Sequence, residues 1–380
     1  MLEAILSAEQ RQLREQVRDF VRSVPRQLVL DMDAERVRYP RGYIEDLAAQ
    51  RLLGMRFPPE YGGRGLGWCD EIVALEEIGV LGTSLACLFS LPSIVGEALN
   101  VFGTPEQKER WLPGVASGDT VLAIAMTEPG TGSDLAAVQT TAIRDGDEYV
   151  VNGSKTFITN GGHADRVLVV AKTDPKASHA GISLIMVDAD SEGFSRGPQI
   201  EKLGQHASDT TELFFDDVRV PAENLVGAEG TGFIQLMEKL VPERMIIAVG
   251  ALSAAEAAFE ITLDYVKERT AFGRPIGSFQ NSRFKMAEIK TELTVGRAFV
   301  DQCIEKHVNG ELTIEEAAMA KWWTTELLGK VTDECLQLHG GYGYTNEYAI
   351  SRAWVDARIT RIYGGTTEIM KELIGRGMGL

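Results

Sequence analysis

The separation of strand-forming and helix-forming patterns along the chain is the strongest constraint on its fold. Short β-branched runs divided by Gly, Asp and Asn concentrate in residues 121–226, whereas amphipathic helical patterns fill both flanks. This order predicts an α+β multidomain fold. We expect an N-terminal α-helical domain at residues 1–120, a middle β-sheet or barrel domain at 121–228 and a C-terminal four-helix bundle at 229–380.

Capping residues mark where several helices begin. Ser7 with Gln10, and Thr104 with Gln107, have the spacing of capping boxes, and a helical pattern follows each pair. The helical patterns lie at residues 71–81, 84–102, 230–267, 279–308, 313–339 and 347–375, and the strand patterns at 121–126, 137–143, 149–151, 166–172, 182–187 and 212–218.

Composition and charge exclude several classes of function. The net charge of -17 over 380 residues, with no cluster of Lys and Arg, argues against a nucleic-acid or anionic-membrane surface. An anionic small ligand stays possible if a few arginines converge. The four cysteines lack CxxC spacing and the five histidines lack metal-ligand spacing, so we expect reduced thiols and no metal.

The N-terminal sequence and the apolar runs bear on location. Residues 1–7 have no basic segment followed by a long apolar core, so no signal peptide is expected. From the sequence we expect no apolar run to reach the roughly 20 residues that span a bilayer. We therefore expect a cytoplasmic protein that does not insert into membranes.

Standard nucleotide signatures are missing from the sequence. It contains neither a P-loop nor a Gly-rich dinucleotide fingerprint between a strand and a helix. Residues 130–134 follow a predicted strand, and their small side chains would let a ligand approach the backbone closely, although such loops are more often plain turns. The residues alone predict a three-domain globular protein and no particular cofactor.

Five motifs in order resemble those of acyl-CoA dehydrogenases, over essentially the full length of the chain. They are Met126-Thr-Glu-Pro-Gly-Thr-Gly-Ser-Asp134, Asn152-Gly-Ser-Lys-Thr-Phe-Ile-Thr-Asn-Gly161, Arg269-Thr-Ala-Phe-Gly273, Gln337-Leu-His-Gly-Gly341 and Arg361-Ile-Tyr-Gly-Gly-Thr-Thr-Glu368. The long-chain branch is the most similar, through Pro242-Glu-Arg244 and the last motif. The resemblance implies FAD in a cleft between the β domain and the helical bundle.

The resemblance also assigns residues to the flavin ring. Met126 and Thr127 would bind its pyrimidine side, and the Thr159 hydroxyl would lie at N5. Phe157 stands where many relatives have tryptophan, so an apolar surface against the ring is kept while the indole donor is lost. Read without the motif, Phe157 and Thr159 fit an ordinary alternating strand.

Further contacts are implied along the dinucleotide, several of them from a neighbouring subunit. The neighbouring subunit would supply Arg269, Phe272, Gln280, Gln337, Gly340 and Gly341, with Thr366 and Glu368 at the adenosine end. Ser133 is assigned to both cofactor and acyl-CoA, and Arg244 to acyl-CoA. A site shared between chains implies an obligate oligomer, and the family habit is a homotetramer arranged as a dimer of dimers.

The catalytic base is expected at an unusual position for the family as a whole. Most members carry a glutamate where this chain has Gly364, but the long-chain and isovaleryl branches place it on an earlier helix, which here gives Glu243. The backbone N–H of Gly364 would still bind the thioester oxygen, together with a ribityl hydroxyl. Two alternatives stay open: Glu243 as a first-turn carboxylate paired with Arg244, and Glu368 as base, one helical turn from Gly364.

The implied reaction is α,β-dehydrogenation of a saturated acyl-CoA to trans-2-enoyl-CoA in fatty-acid β-oxidation, with electrons passed to electron-transfer flavoprotein. Short branched-chain (isovaleryl-type) acyl-CoA, an acyl-carrier-protein substrate, a flavin oxidase or monooxygenase reaction and a non-catalytic acyl-CoA-binding role are the alternatives.

Overall fold

A computed structural model describes residues 6–380 as three layers of structure in the expected order. The N-terminal helices are α1 (Ala8–Ser23), α2 (Arg26–Asp33), α3 (Arg41–Ala49), α4 (Trp68–Ile78), α5 (Thr83–Phe102) and α6 (Pro105–Ala116). The central strands are β1 (Leu122–Ala125), β2 (Thr141–Asp145), β3 (Glu148–Thr159), β4 (Arg166–Lys172), β5 (Ile182–Asp188), β6 (Phe194–Gln199), β7 (Thr210–Pro221) and β8 (Leu225–Val226).

The C-terminal part is again helical apart from one short hairpin. It consists of α7 (Gly232–Glu268), the hairpin strands β9 (Thr270–Ala271) and β10 (Arg274–Pro275), α8 (Gln280–Val308), α9 (Ile314–His339), α10 (Ala349–Ala357) and α11 (Thr367–Gly377). The α+β fold class predicted from the sequence is therefore confirmed.

Local capping chemistry sets the starts of the helices as predicted. Ser7 and Thr104 both form complete capping boxes, in which the side chain of the third helical residue returns the hydrogen bond. Thr313 forms another at the start of α9. These bonds satisfy N–H groups that have no partner within the helix, so short polar side chains decide the boundaries.

The last predicted helix, at residues 347–375, is wrong as a single element. The structure divides it into α10 and α11, joined by a short 3₁₀ segment and a turn. Gly364 and Gly365 in that turn have φ angles of +61° and +96°, which lie in the left-handed region and end a right-handed helix. The break places Gly364 in a turn of irregular backbone.

One eight-stranded sheet carries the middle domain. Its strand order is β6-β7-β3-β2-β4-β5-β8, and β1 pairs in parallel with β4. β6 and β8 were not predicted, and β3 continues well past the predicted strand at 149–151, through two register shifts to Thr159. One cluster of buried apolar residues is formed only by the strands and their connecting loops. The sheet therefore curls around a core of its own.

The other face of the sheet packs on α5, α6 and the start of α7 through a second apolar cluster. A third cluster joins the N-terminal helices to the C-terminal bundle in one continuous core. The two helical domains therefore share their apolar interior, and α7 contacts both of them and the sheet.

Among the helices of residues 6–380, two are long and apolar enough to cross a membrane by length and composition. They are α5 and α7, whose most apolar 18-residue segments have a mean hydropathy of 1.6 and 1.7. Apolar segments of this length were not predicted from the sequence. In each helix 67% of the apolar window is buried inside the protein, as in a core helix of a soluble fold.

A buried ion pair ties β3 to the loop that follows β1. Lys155 is fully buried, and its Nζ donates to Glu128 Oε1 (2.8 Å), to the Val170 carbonyl (2.7 Å) and to the Met126 carbonyl (3.1 Å). Glu128 also accepts the N–H groups of Gln139 and Thr140. Burial lowers the pKa of Lys155 to about 8 and Glu128 opposes that effect, so the ammonium is charged at neutral pH.

Replacing one partner of this pair should destabilise the protein strongly. Lys155→Met leaves a buried carboxylate without its cation, which typically costs roughly 3–5 kcal/mol, and we expect Tm to fall by roughly 5–10 °C in calorimetry. Adding Glu128→Gln should recover part of the loss. The control is Arg219→Met, since Arg219 is half exposed in its pairs with Asp145 and Glu148, and it should shift Tm by about 2 °C or less. Equal effects of the two single variants would contradict the argument.

Candidate active site

Glu243 lies in the interior of α7, well past its first residue, Gly232. The interpretation of Glu243 as a first-turn carboxylate is therefore wrong. Pro242 precedes it within the helix and has no N–H to donate to the carbonyl one turn earlier. The helix continues because packing on both sides outweighs the missing bond, and it holds the carboxylate at a fixed height along its axis.

The Glu243 carboxylate is desolvated and poorly neutralised. Burial raises its pKa to about 7, and the neighbouring charges of Arg244 and Lys239 only partly oppose that rise. It makes no hydrogen bond, and no ion pair within 4 Å, to any of residues 6–380. A carboxylate with such a pKa and no structural partner has the properties of a general base near neutral pH.

Gly364 faces the same side of α7 as Glu243. A Cβ atom on Gly364 would lie 2.1 Å from Ile247 Cδ1, so the Gly364 backbone is packed directly against that side chain. Ile247 is one helical turn beyond Glu243, and residues four apart share a helix face. The N–H of Gly364 has no hydrogen-bond partner within residues 6–380, which leaves it free to bind a ligand oxygen beside the carboxylate.

Glu368 occupies a different environment from the one expected. It lies in the first turn of α11, beyond the glycine turn, so Gly364 and Glu368 do not share a helix as the sequence suggested. Hydrogen bonds from its own N–H and from Thr366 lower its pKa, and its side chain is exposed. A hydrated carboxylate that is stabilised in its charged form is a weak base, which favours Glu243.

Arg244 is a buried cation without a hydrogen-bond or ion-pair partner among residues 6–380. Its residue exposure is 6%, it forms no ion pair within residues 6–380, and its buried Nε has no hydrogen-bond acceptor. Burial lowers its pKa while the charge of Glu243 opposes that effect. Since a buried guanidinium normally has its donors satisfied, the arrangement suits an anionic or carbonyl ligand beside α7.

The residues assigned to the flavin ring lie on the second half of β3 and on the loop that follows β1. The carbonyl of Met126 accepts from Lys155, and the carbonyl of Thr127 accepts the N–H of Thr156 at 2.9 Å, so β3 holds both peptide units. Phe157 falls in the second register shift with φ +58° and is 64% exposed. An ordinary alternating strand is therefore excluded, and an exposed aromatic ring in the left-handed region indicates a functional constraint.

A loop of the β domain connects this stretch to the glycine turn. Thr159 pairs with Thr210 at the start of β7, and the residues just before Thr210 contact α10, where the Gln205 N–H donates to Asp356. The Gln205 side chain also lies beside the Tyr363 hydroxyl, where it partly opposes the rise in the pKa of Tyr363 that burial causes. The edge carrying Thr159 is thus linked to the residue immediately before Gly364.

A second group of assigned residues lies at the opposite end of α7. The Arg269 guanidinium stacks 5.3 Å from the centre of the Tyr342 ring, which joins the β9–β10 hairpin to the turn after α9. Phe272 in this hairpin is 96% exposed with φ +52°. All six residues assigned to the neighbouring subunit's contribution are exposed to solvent: Arg269, Phe272, Gln280, Gln337, Gly340 and Gly341. Ser133 is also exposed, next to open space above Gly130 and Gly132.

Within residues 6–380 no group of three or more His, Cys, Asp or Glu could hold a metal ion. A cavity of about 740 Å³ lies between α8, α9 and α10, beside Leu203 and Arg361. None of the residues assigned to cofactor or substrate lines this cavity. Among residues 6–380 the structure brings together, around Ile247 of α7, a desolvated carboxylate, an N–H without a hydrogen-bond partner and a buried guanidinium without an ion pair.

Three contributors to this arrangement were not singled out from the sequence. Lys155 and Lys321 hold backbone carbonyls beside the two halves of the site, and Ile247 fills the space next to Gly364. Lys155 lies inside one of the quoted motifs, where a lysine among apolar strand residues is the only signal. Ile247 and Lys321 fit the apolar and charged pattern of any helix, so the sequence gives no sign of their roles.

Known proteins and protein-family models match nearly the full length of the chain. Models of the acyl-CoA dehydrogenase N-terminal, middle and C-terminal domains match residues 7–119, 123–218 and 230–379. The chain is 45% identical over 377 residues to the mitochondrial long-chain specific acyl-CoA dehydrogenase of Mus musculus, covering 98% of this chain and 87% of that one.

Solved structures agree with the sequence comparison. The acyl-CoA dehydrogenase of Geobacillus kaustophilus superposes with a TM-score of 0.95 at 46% identity, covering 99% of both chains. A chain from a structure described as an electron transferring flavoprotein of Acidaminococcus fermentans superposes with a TM-score of 0.94 at 36% identity, also over 99% of both. This chain belongs to the acyl-CoA dehydrogenase family, whose members are flavoprotein oxidoreductases.

Proposed function

We propose that the protein oxidises a saturated, straight-chain acyl-CoA thioester to the trans-2-enoyl-CoA, with Glu243 as the base that removes the α-proton. The observation that carries the proposal is that Ile247, one helical turn beyond Glu243 on α7, contacts Gly364, whose N–H has no hydrogen-bond partner among residues 6–380. The 45% identity to a long-chain specific relative supports medium to long chains and a role in fatty-acid β-oxidation.

The electrostatics of the site suit proton removal from a weakly acidic C–H bond. A thioester oxygen bound to the free Gly364 N–H would gain negative charge as the α-proton leaves, and a donor placed there stabilises that charge. Glu243, whose pKa is about 7, is ionised in a useful fraction at neutral pH and retains the basicity that a hydrated carboxylate lacks. The Arg244 guanidinium, which has no ion pair among residues 6–380, would attract the anionic CoA ester toward this site.

FAD fits the stretch of the β domain that the family resemblance assigns to the flavin. Met126, Thr127, Phe157 and Thr159 form a stretch whose backbone is fixed from behind by β3 and whose exposed aromatic ring can cover a flavin. When bound, FAD supplies the hydride acceptor for the Cβ–H bond. The open space above Gly130 and Gly132 allows a phosphate to approach the backbone near Ser133.

The second group of assigned residues supports a shared site in a homo-oligomer. From Glu243 to its end at Glu268, α7 runs for about 37 Å, at roughly 1.5 Å per residue. Arg269 and Phe272 of the same chain therefore lie beyond the reach of a dinucleotide whose flavin is next to Glu243. A second subunit must bring its own Arg269 hairpin to that cofactor, so we propose a homotetramer built as a dimer of dimers.

Electron-transfer flavoprotein is the proposed electron acceptor. The likeness to a chain from an electron transferring flavoprotein structure supports this class of partner. The exposed Phe157 ring offers an edge through which electrons could leave the site. Rapid oxygen consumption in the presence of acyl-CoA would instead indicate a flavin oxidase.

Glu243→Gln should abolish flavin reduction while leaving ligand binding intact. Because the amide cannot take a proton, we expect the rate of flavin bleaching in anaerobic titrations with acyl-CoAs of graded length to fall by about 10²- to 10⁴-fold or more. The control is Glu372→Gln on α11, where the carboxylate is exposed and paired with Arg376, and it should retain a rate within about threefold of wild type. In wild type, kcat/KM should rise about tenfold per pH unit below pH 7 and level off above it. If Glu368→Gln loses flavin reduction at normal FAD content while Glu243→Gln keeps it, Glu368 is the base instead of Glu243.

The same substitution should stabilise the protein at alkaline pH. Burial raises the pKa of Glu243 from 4.5 to about 7, so ionisation costs folding free energy increasingly as pH rises through this range and fully above it. Removing the charge should gain about 1–3 kcal/mol at pH 8, and the Tm advantage of Glu243→Gln should shrink as pH falls to 5. The Tm difference between the variant and wild type is measured by calorimetry at matched FAD content. A constant Tm difference across pH 5–8 would show that the carboxylate is hydrated.

Moving the base to position 364 should require space as well as a carboxylate. In Glu243→Gln, adding Gly364→Glu places a Cβ 2.1 Å from Ile247 Cδ1 and forces a residue with φ +61° into a conformation that costs about 1–2 kcal/mol. We expect little recovery of flavin reduction until Ile247→Ala is added as well. Ile247→Ala alone, which keeps Glu243, is the control for the cavity. Full recovery without the Ile247 change would show that the turn adapts freely.

A further inference from the structure

Lys321 is a buried cation that the proposed chemistry does not yet use. It lies in α9, is fully buried, and forms no ion pair within residues 6–380. Its Nζ donates to the Gly365 carbonyl at 2.6 Å. Burial and, to a smaller extent, the charge of Arg244 lower the pKa of Lys321 to about 8, and the charges of Glu326 and Glu368 partly oppose that shift. Because this pKa is still above neutral, the ammonium is charged at neutral pH.

The turn that Lys321 contacts has little other support. Gly364 and Gly365 both have positive φ, and neither N–H is hydrogen-bonded within residues 6–380. Two successive glycines in the left-handed region gain conformational freedom that an anchor must remove. Lys321 supplies that anchor on the second glycine, so it limits where the N–H of the first glycine points.

Residues that flank the turn are also held by α9. Glu326 pairs with the Arg361 Nε at 3.3 Å and accepts from the Thr367 hydroxyl at 3.2 Å. One contact thus lies before the turn and one after it. Lys321 alone among the side chains of residues 6–380 bonds a backbone atom of Gly364 or Gly365.

The charge of Lys321 also adds to that of Arg244. Both cations are at most 6% exposed, and neither has a carboxylate within 4 Å among residues 6–380. Their mutual repulsion opposes the charged state of Lys321, which is a cost that the folded protein bears. Negative charge that develops on a ligand at the Gly364 N–H would offset it.

We propose that Lys321 is a positioning residue that fixes the Gly364–Gly365 turn and, together with Arg244, favours the enolate form of a bound thioester. The inference rests on the proposed function, since it assigns the thioester oxygen to the Gly364 N–H. It adds a cation on α9 to a site otherwise built from α7 and the glycine turn. In the step involved, the α-proton of the ligand passes to the Glu243 carboxylate, the C–H electron pair forms a double bond between Cα and the carbonyl carbon, and the carbonyl π pair moves onto the thioester oxygen.

Enolisation of a ligand that cannot be dehydrogenated tests the inference directly. Acetoacetyl-CoA has an acidic α-proton, and its enolate can be followed by absorbance as pH is varied on the FAD-loaded protein. In Lys321→Met we expect the midpoint pH for enolate formation to rise by about one unit or more relative to wild type. Flavin reduction by a saturated acyl-CoA should slow by about 10- to 100-fold at saturation, with a smaller change in KM.

Matched variants separate positioning from simple destabilisation. Lys330→Met removes a lysine from the same helix, where it is half exposed and paired with Glu292, and should leave both the midpoint and the rate unchanged. If Lys321→Met does not fold, Lys321→Gln keeps a donor without the charge and should still raise the midpoint. FAD content and Tm are measured for each variant.

The outcomes distinguish this inference from the proposed function. If wild type binds acetoacetyl-CoA but no acyl-CoA reduces its flavin, the proposed function fails, and the enolate titration still reports on Lys321. If wild type is reduced and a folded Lys321 variant shows the wild-type midpoint and rate, the inference is overturned. A lower Tm with an unchanged midpoint would likewise overturn it, since Lys321 would then only stabilise the fold.

Discussion

The packing of α7 against the rest of the protein is the constraint on which the site depends. This one helix contacts the N-terminal helices, the sheet, the C-terminal bundle and, through Ile247, the glycine turn. Because a helix fixes the relative height and direction of its side chains, burying α7 on several sides also fixes Glu243 and Arg244. The same packing explains why Pro242 is tolerated in the helix interior, where a proline normally costs about 3 kcal/mol.

Buried charge is distributed to serve both folding and chemistry. Lys155 is paired with Glu128 and bonded to carbonyls, so it contributes order to the loop that carries Met126. Among residues 6–380, Arg244 and Lys321 have no carboxylate within 4 Å, and the Glu243 carboxylate accepts no hydrogen bond. The paired charge, Lys155, thus lies in the sheet, whereas the poorly neutralised charges of Glu243, Arg244 and Lys321 lie at the proposed reaction centre. A protein with net charge -17 thereby keeps positive charge where an anionic thioester would bind.

Local signals account for what the sequence predicted well. Capping residues at Ser7 and Thr104 and the β-branched runs of the sheet act within a few residues, so their pattern is visible in one dimension. β6 was missed because Phe194–Gln199 contains Gly and Pro and lacks β-branched residues, and it forms only through pairing with β7. The break between α10 and α11 was missed because Gly364 and Gly365 adopt positive φ where other glycines continue a helix.

The sequence by itself determined the order of helices and strands, the family resemblance, and the exchange of a carboxylate at position 364 for one at position 243. These properties follow from residue identity and short-range spacing. Only the tertiary structure decided that Ile247 contacts Gly364, that Glu243 is desolvated enough for a pKa of about 7, and that Lys321 reaches the Gly365 carbonyl. Each of these depends on which distant segments pack together and how much water they exclude, and no local pattern encodes that.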